Sequence, residues 1–139
     1  MTDRRHTIER LLDDYNRHDA VRFASYFAEG GVLRIVATGE VNEGREQIAA
    51  GAAERWRAID YTLQPSGLYE CGEDVWVEWI QSGTHVGALM GIPATHRSYE
   101  MPGCSHFTFG DDGLLVSDVA YFDIATALRQ IGVLPEPPA

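Results

Sequence analysis

The sequence predicts an α+β domain, with helices in the first half and a curved, mostly antiparallel sheet wrapped around them. Two observations carry this. Apolar residues recur at helical spacing as far as Ile59. From Tyr61 onward the period changes to two, through long runs rich in β-branched and aromatic residues. No linker, repeat or low-complexity segment interrupts the pattern. A chain of 139 residues is one domain, large enough for one core. Its expected bounds are residues 1–134, with 135–139 a proline-rich tail.

Helix one is expected from Asp3 to Asn16, because Ile8, Leu11, Leu12 and Tyr15 share one face. Asp19 caps a second helix with Ala20, Phe23, Ala24 and Phe27 as its stripe, and Gly30-Gly31 ends it. Val32 to Ala37 reads as a short strand containing Arg34. Gly39 to Asn42 is a turn with a short hairpin partner. Helix three runs from Arg45 to Ala58, with Ile48, Ala52, Trp56 and Ile59 on one face. Tyr61 to Tyr69 is a strand that Pro65 bends or confines to an edge. Val75 to Leu89 is a long strand that Gly83 and Gly87 allow to curve, and Gly91-Ile92-Pro93 ends it. Tyr99–Phe109 and Leu114–Phe122 flank the turn Gly110-Asp111-Asp112-Gly113. Asp123 caps a last helix with Ile124, Leu128 and Ile131 inward, and Gly132 stops it.

Three helices cannot cover both faces of such a sheet. They can fill its concave side and leave a hollow at one end. The convex face carries Trp76 or Trp79, according to register, and is exposed unless paired. A homodimer through the sheet is therefore expected.

A formal net charge of -10 argues against nucleic acid or an anionic membrane as partner, since both need a basic surface. No apolar run approaches the ~20 residues of a membrane helix. The polar stretch Met1–Glu9 has no signal-peptide core, so a cytoplasmic location is expected. Cys71 and Cys104 are then expected to be free and buried. No CxxC and no histidine pair at ligand spacing occurs, so neither a metal nor another cofactor is expected. His6, His18 and His96 are expected in solvent.

One word of the sequence is more specific: Gly83-Thr84-His85-Val86-Gly87-Ala88-Leu89-Met90-Gly91-Ile92-Pro93-Ala94-Thr95, followed after one strand by Asp112 to Asp123. This order resembles the SnoaL-like polyketide cyclases, in the NTF2-like group that includes nuclear transport factor 2 and ketosteroid isomerase. The resemblance extends to Ala127–Gly132 and, more loosely, over helix one. It implies a cone-shaped α+β barrel with a deep apolar pocket. It also implies an acid/base aspartate at the position held here by Ala120. That carboxylate is absent.

Asp118 lies two residues earlier, ~7 Å along the strand and on the same face as Val116, Ala120 and Phe122. It either supplies a displaced base or is simply solvated. On the preceding strand Ser105 points inward with Phe107 and Phe109, and His106 outward, unless a bulge at Met101-Pro102-Gly103 reverses them. His85 either exchanges protons near neutral pH or packs on the sheet. Tyr15 and Gly51 match pocket positions of the related cyclases, Gly51 by leaving space. Trp56 joins the pocket wall. Arg34 either binds a substrate oxygen or pairs with Glu78 or Glu40. The base and the oxyanion tyrosine of ketosteroid isomerase fall at Ile35 and Leu11, so that constellation is missing.

The expected activity is a cofactor-independent cyclase or isomerase acting on an apolar, polyketide-like small molecule. Asp118, His85 and His106 would be its catalytic groups, with Tyr15, Arg34, Gly51, Trp56, Ser105 and Ala120 binding substrate. Ring closure would proceed by aldol-type acid/base chemistry or by templating a reactive conformer. The alternative is a small-molecule-binding domain that has lost the chemistry.

Overall fold

In the computed structural model, which describes residues 3–138, α1 (Arg4–Asn16) starts at Asp3, whose side chain accepts the His6 amide. Its buried stripe includes Ile8, Leu11, Leu12 and Tyr15, the expected face. Met1, Thr2 and Ala139, the ends of the expected domain and tail, lie outside the described residues. α2 (Ala20–Ser25) begins at Asp19, which accepts the Arg22 amide. It is shorter than expected. β1 (Phe27–Ile35) already runs through Gly30-Gly31. A Cβ at Gly31 would lie 2.9 Å from the Leu115 carbonyl oxygen, so the glycine admits a neighbouring strand rather than ending a helix. β2 (Glu40–Glu43) is the hairpin partner of β1, and α3 (Gly44–Ala58) follows.

β3 (Ile59–Cys71), β4 (Asp74–His85), β5 (Ser98–Phe109) and β6 (Leu115–Phe122) complete one six-stranded sheet, in the order β2-β1-β6-β5-β4-β3. Only β1 and β6 pair in parallel. The register of edge strand β3 shifts between Pro65 and Gly67, where proline has no amide to give. α4 (Ile124–Gln130) is capped by Asp123 and is followed by Gly132 at φ +83. Among the described residues no helix is long and apolar enough to cross a membrane.

β4 ends at His85, four residues short of the expectation. The long connection to β5 holds a two-residue turn. Met90 and Gly91 have φ of +49 and +77, and Leu89 and Ile92 exchange backbone hydrogen bonds of 3.0 and 2.8 Å. Gly87 passes over the end of α3, where a Cβ would lie 2.2 Å from the Arg57 carbonyl oxygen. The Thr95 amide donates to His85 Nδ1 at 3.1 Å. The Gly83–Thr95 word therefore builds this connection.

Alternation sets the two faces of the sheet. Val77, Trp79 and Gln81 of β4 and Met101, Ser105 and Phe107 of β5 are buried. The β4–β5 register is continuous through Pro102, so Ser105 stays inside and His106 outside. Trp79 pairs with Gly103, where a Cβ would meet the indole at 2.4 Å. Glycine there lets the ring lie across the strand. In β6 the register does slip: Leu115 pairs with Phe109 and Ser117 with Thr108, leaving Val116 as an extra, exposed residue. Val116 therefore leaves the face it was expected to share with Asp118.

Trp76, not Trp79, lies on the convex side, stacked on His106 at 4.1 Å and beside exposed Tyr121 and Tyr69. Both cysteines are free, but neither is buried. Cys71 ends the edge strand, and Cys104 shares the outward face of His106.

Candidate active site

The concave face of the sheet and the helices enclose a hollow with two lobes. The inner lobe has a volume of about 50 Å³ and the outer about 130 Å³. Ile35, Arg55, Tyr61, Gln81 and Phe122 line both and form a waist between them. The outer lobe is bounded by α4, Leu89 and exposed Thr38. The inner lobe is walled by buried Leu11, Tyr15, Trp79, Phe107 and Asp118.

Asp118 sits on this inner wall at 6% exposure, and its Oδ1 has no hydrogen-bond partner among the described residues. Burial raises its pKa from 3.8 to about 7, against the opposing pull of the Arg55 cation. Ala120, at the next inward position of β6, lines the same lobe. Ser105 pairs with Ala120 in register, and its Oγ accepts the Trp79 indole N–H at 3.0 Å.

Across the hollow, α1 and β3 bring Tyr15 and Tyr61 together. Asn16 holds the two elements in place by exchanging two 2.8 Å bonds with the backbone of Leu63. The hydroxyls of Tyr15 and Tyr61 are hydrogen-bonded to each other. Arg55 Nε donates to Tyr15 Oη at 3.4 Å. Its Nη1 donates to Glu40 at 2.6 Å and to Asn42 at 3.3 Å. Burial alone would weaken the guanidinium's hold on its proton, but the tyrosine oxygens and Glu40 more than offset this and raise its pKa. Burial, and then Tyr15, push the Tyr61 hydroxyl well above its ordinary range. In the outer lobe Gln81 Nε2 donates to Tyr99 Oη at 2.8 Å, and burial raises the Tyr99 hydroxyl as well.

Of the residues singled out from sequence, the hollow brings together Tyr15, Ser105, Asp118 and Ala120. The others lie elsewhere. His85 is fully buried and lines neither lobe; its Nδ1 accepts from the Thr95 amide. His106 faces outward, with Nε2 2.8 Å from Asp74 Oδ1. Arg34 is exposed between buried Leu33 and Ile35, so alternation turns it outward, and Glu40 pairs with Arg55 instead. Gly51 does not widen the cavity; a Cβ there would lie 2.3 Å from Asn42 Oδ1. It clears space for the carboxamide that Arg55 grips. Trp56 packs on Tyr15 and His18 rather than on the cavity. His18 is not simply solvated, since Nε2 lies 2.9 Å from the Tyr61 carbonyl oxygen. Ile35 and Leu11 do line the inner lobe, as apolar wall.

Arg55, Tyr61, Trp79, Gln81 and Tyr99 were not foreseen. Gln81 had a usable signal, being polar at an inward position of a period-two strand. Arg55 also had one, since it follows Ile48 and Ala52 at i+7 and i+3 on one face of α3. No cluster of three or more His, Cys, Asp or Glu side chains able to hold a metal occurs among the described residues.

An open, curved six-stranded sheet packed against N-terminal helices is the ketosteroid isomerase-like fold. A protein of that fold from Catenulispora acidiphila, solved with trimethylamine, superposes with a TM-score of 0.81 at 20% identity, covering 95% of this chain and 97% of its own. A candidate polyketide cyclase from Xanthomonas campestris gives a TM-score of 0.85 at 18% identity, over 93% and 96%. IdmH from Streptomyces antibioticus, also a candidate polyketide cyclase, gives 0.80 at 24% identity, over 95% and 100%. Among curated proteins no sequence matches this chain. The sequence profile of the SnoaL-like polyketide cyclases matches residues 5–131, and the chain belongs to that family.

Proposed function

We propose that this protein is a cyclase or isomerase that moves a proton next to a carbonyl of an apolar, polyketide-like small molecule, without a cofactor. The observation that carries this is Asp118: a carboxyl on the cavity wall, with one oxygen free of partners among the described residues and a pKa raised by burial to about 7. Such a group takes and returns protons near neutral pH. It stands two residues from Ala120, the position at which the related cyclases carry their aspartate. The apolar wall around it favours a flexible ligand folded into a compact conformer. In this reading a second copy of the chain covers the strip of Tyr69, Trp76 and Tyr121 on the convex face.

Ala120 also favours a second reading, in which the hollow binds or templates its ligand with no acid/base step. Deuterium exchange decides between them. β-Tetralone, an apolar bicyclic ketone, is incubated with the protein in D2O and its α-protons are followed by NMR. Asp118→Asn is expected to slow the catalysed exchange by about 100-fold or more. Equal rates for the two proteins would sink the acid/base reading and leave the binding one.

A further inference from the structure

We infer that the paired hydroxyls of Tyr15 and Tyr61, backed by Arg55, form a seat for an enolic or anionic ligand oxygen at the waist of the hollow. The argument is a count of protons. The two hydroxyls carry two O–H groups, and the bond between them uses one. Their remaining partner, Arg55, only donates. No protein acceptor among the described residues takes the second O–H, whichever tyrosine carries it. Both rings line the inner lobe, so the acceptor belongs to whatever fills the cavity.

The seat suits negative charge. A guanidinium whose side chain is only 14% exposed stands directly behind Tyr15, and a donor polarised in this way binds an anionic oxygen more strongly than a neutral one. Ser105 also has an O–H with no acceptor among its hydrogen bonds, but no cation stands behind it. Gly51 and Asn42 keep Arg55 in position, since the glycine makes room for the carboxamide that accepts from Nη1. Arg55 also lines the waist, so it polarises Tyr15 from one side and faces the seated oxygen from the other.

The seat stands on its own geometry, while the step it serves rests on the reading of Asp118 as base and is completed by it. The α C–H bond breaks and its proton goes to the Asp118 carboxylate. Its electron pair becomes the new C=C bond, and the carbonyl π pair moves onto oxygen, which the tyrosine O–H holds. The ligand class is therefore an enolisable ketone or a phenol, with its oxygen at the waist.

The probe is para-nitrophenol, titrated by calorimetry and absorbance at about pH 5.5, well below the pKa of about 7 that burial gives Asp118. Tyr15→Phe and Tyr61→Phe each leave one free O–H, so each is expected to weaken binding by about threefold or less, whereas the double variant loses about tenfold or more. Arg55→Gln is expected to move the absorbance of the bound phenol toward the neutral form, a change that a purely structural role would not produce. Wild-type affinity in the double variant overturns the inference, and an unchanged spectrum overturns the part given to Arg55. A readout independent of variant folding is nitrobenzene, which lacks the phenolic oxygen; wild-type protein holding it as tightly as the phenol also overturns the seat. Because the measurement is binding, a negative result leaves the proton-transfer reading intact. Exchange insensitive to Asp118→Asn would sink that reading without touching this one.

Discussion

The two faces of the sheet each present an aspartate beside a tryptophan and a small polar group, and they treat the carboxyl in opposite ways. On the convex face, Asp74 accepts from His106 and Thr108 at 2.8 and 2.9 Å, and these bonds lower its pKa. On the concave face, Asp118 is buried with a bare oxygen, and its pKa rises to about 7. The outer arrangement resembles a catalytic dyad on paper, yet it is part-exposed, and its hydrogen bonds favour the carboxylate form of Asp74. The inner one has no partner on Oδ1 among the described residues, and burial makes it hold its proton to higher pH. The contrast teaches that a carboxyl's usefulness here follows from what its surroundings withhold.

The largest expected effect is the loss of about 100-fold in exchange on Asp118→Asn. The same variant sharpens the contrast through stability. A carboxyl that titrates higher in the folded chain binds its proton more tightly there. Its folded-state benefit is complete below pH 3.8, fades between 3.8 and about 7, and stays lost above. Asp118→Asn should therefore stabilise the protein at pH 8 by up to about 4 kcal/mol and change little at pH 3.5. Urea unfolding at the two pH values measures this, and a destabilised variant at pH 8 would break the comparison.

Ser105→Ala comes next. It leaves the buried indole N–H of Trp79 without its acceptor, and the expected cost is about 1–3 kcal/mol in the same unfolding experiment. The smallest effect on chemistry belongs to the outer face. Trp76→Glu should leave β-tetralone exchange within about twofold of wild type, since no exposed residue there takes part in proton transfer. Sedimentation should show the variant as a monomer and the wild-type chain as a dimer.

Much of this division was legible in the residues. Period two along Tyr99–Phe109 left Ser105 and His106 as alternatives, subject to a bulge at Met101-Pro102-Gly103, and the continuous register puts Ser105 inside and His106, expected to be catalytic, outside. The stripe of α1 placed Tyr15 inward. The face of Val116 was not legible, because one extra residue in β6 turns it outward without altering the pattern of side-chain types. Arg55 was missed for a different reason. Its spacing to Ile48 and Ala52 put it on the inward face of α3, but a charged residue in a helix reads as surface, and the Glu40 and Asn42 that hold it come from β2, a meeting set by tertiary structure. His85 misled through its chemistry, since an imidazole invites a proton-transfer role. The geometry spends its lone pair on the Thr95 amide.

The short hairpin tip at Met90-Gly91 has a practical consequence. Leu89 contributes to the outer lobe from a connection tied down on either side of the turn, by Gly87 over α3 and by Thr95 on His85. The tip itself rests on two backbone bonds between Leu89 and Ile92. Grafting other sequences between those moorings would reshape the entrance while the inner chamber and its acid stay untouched. In the proposed reading, ligand range and proton transfer then rest on separate segments, and a library confined to residues 88–92 is the natural place to begin retargeting.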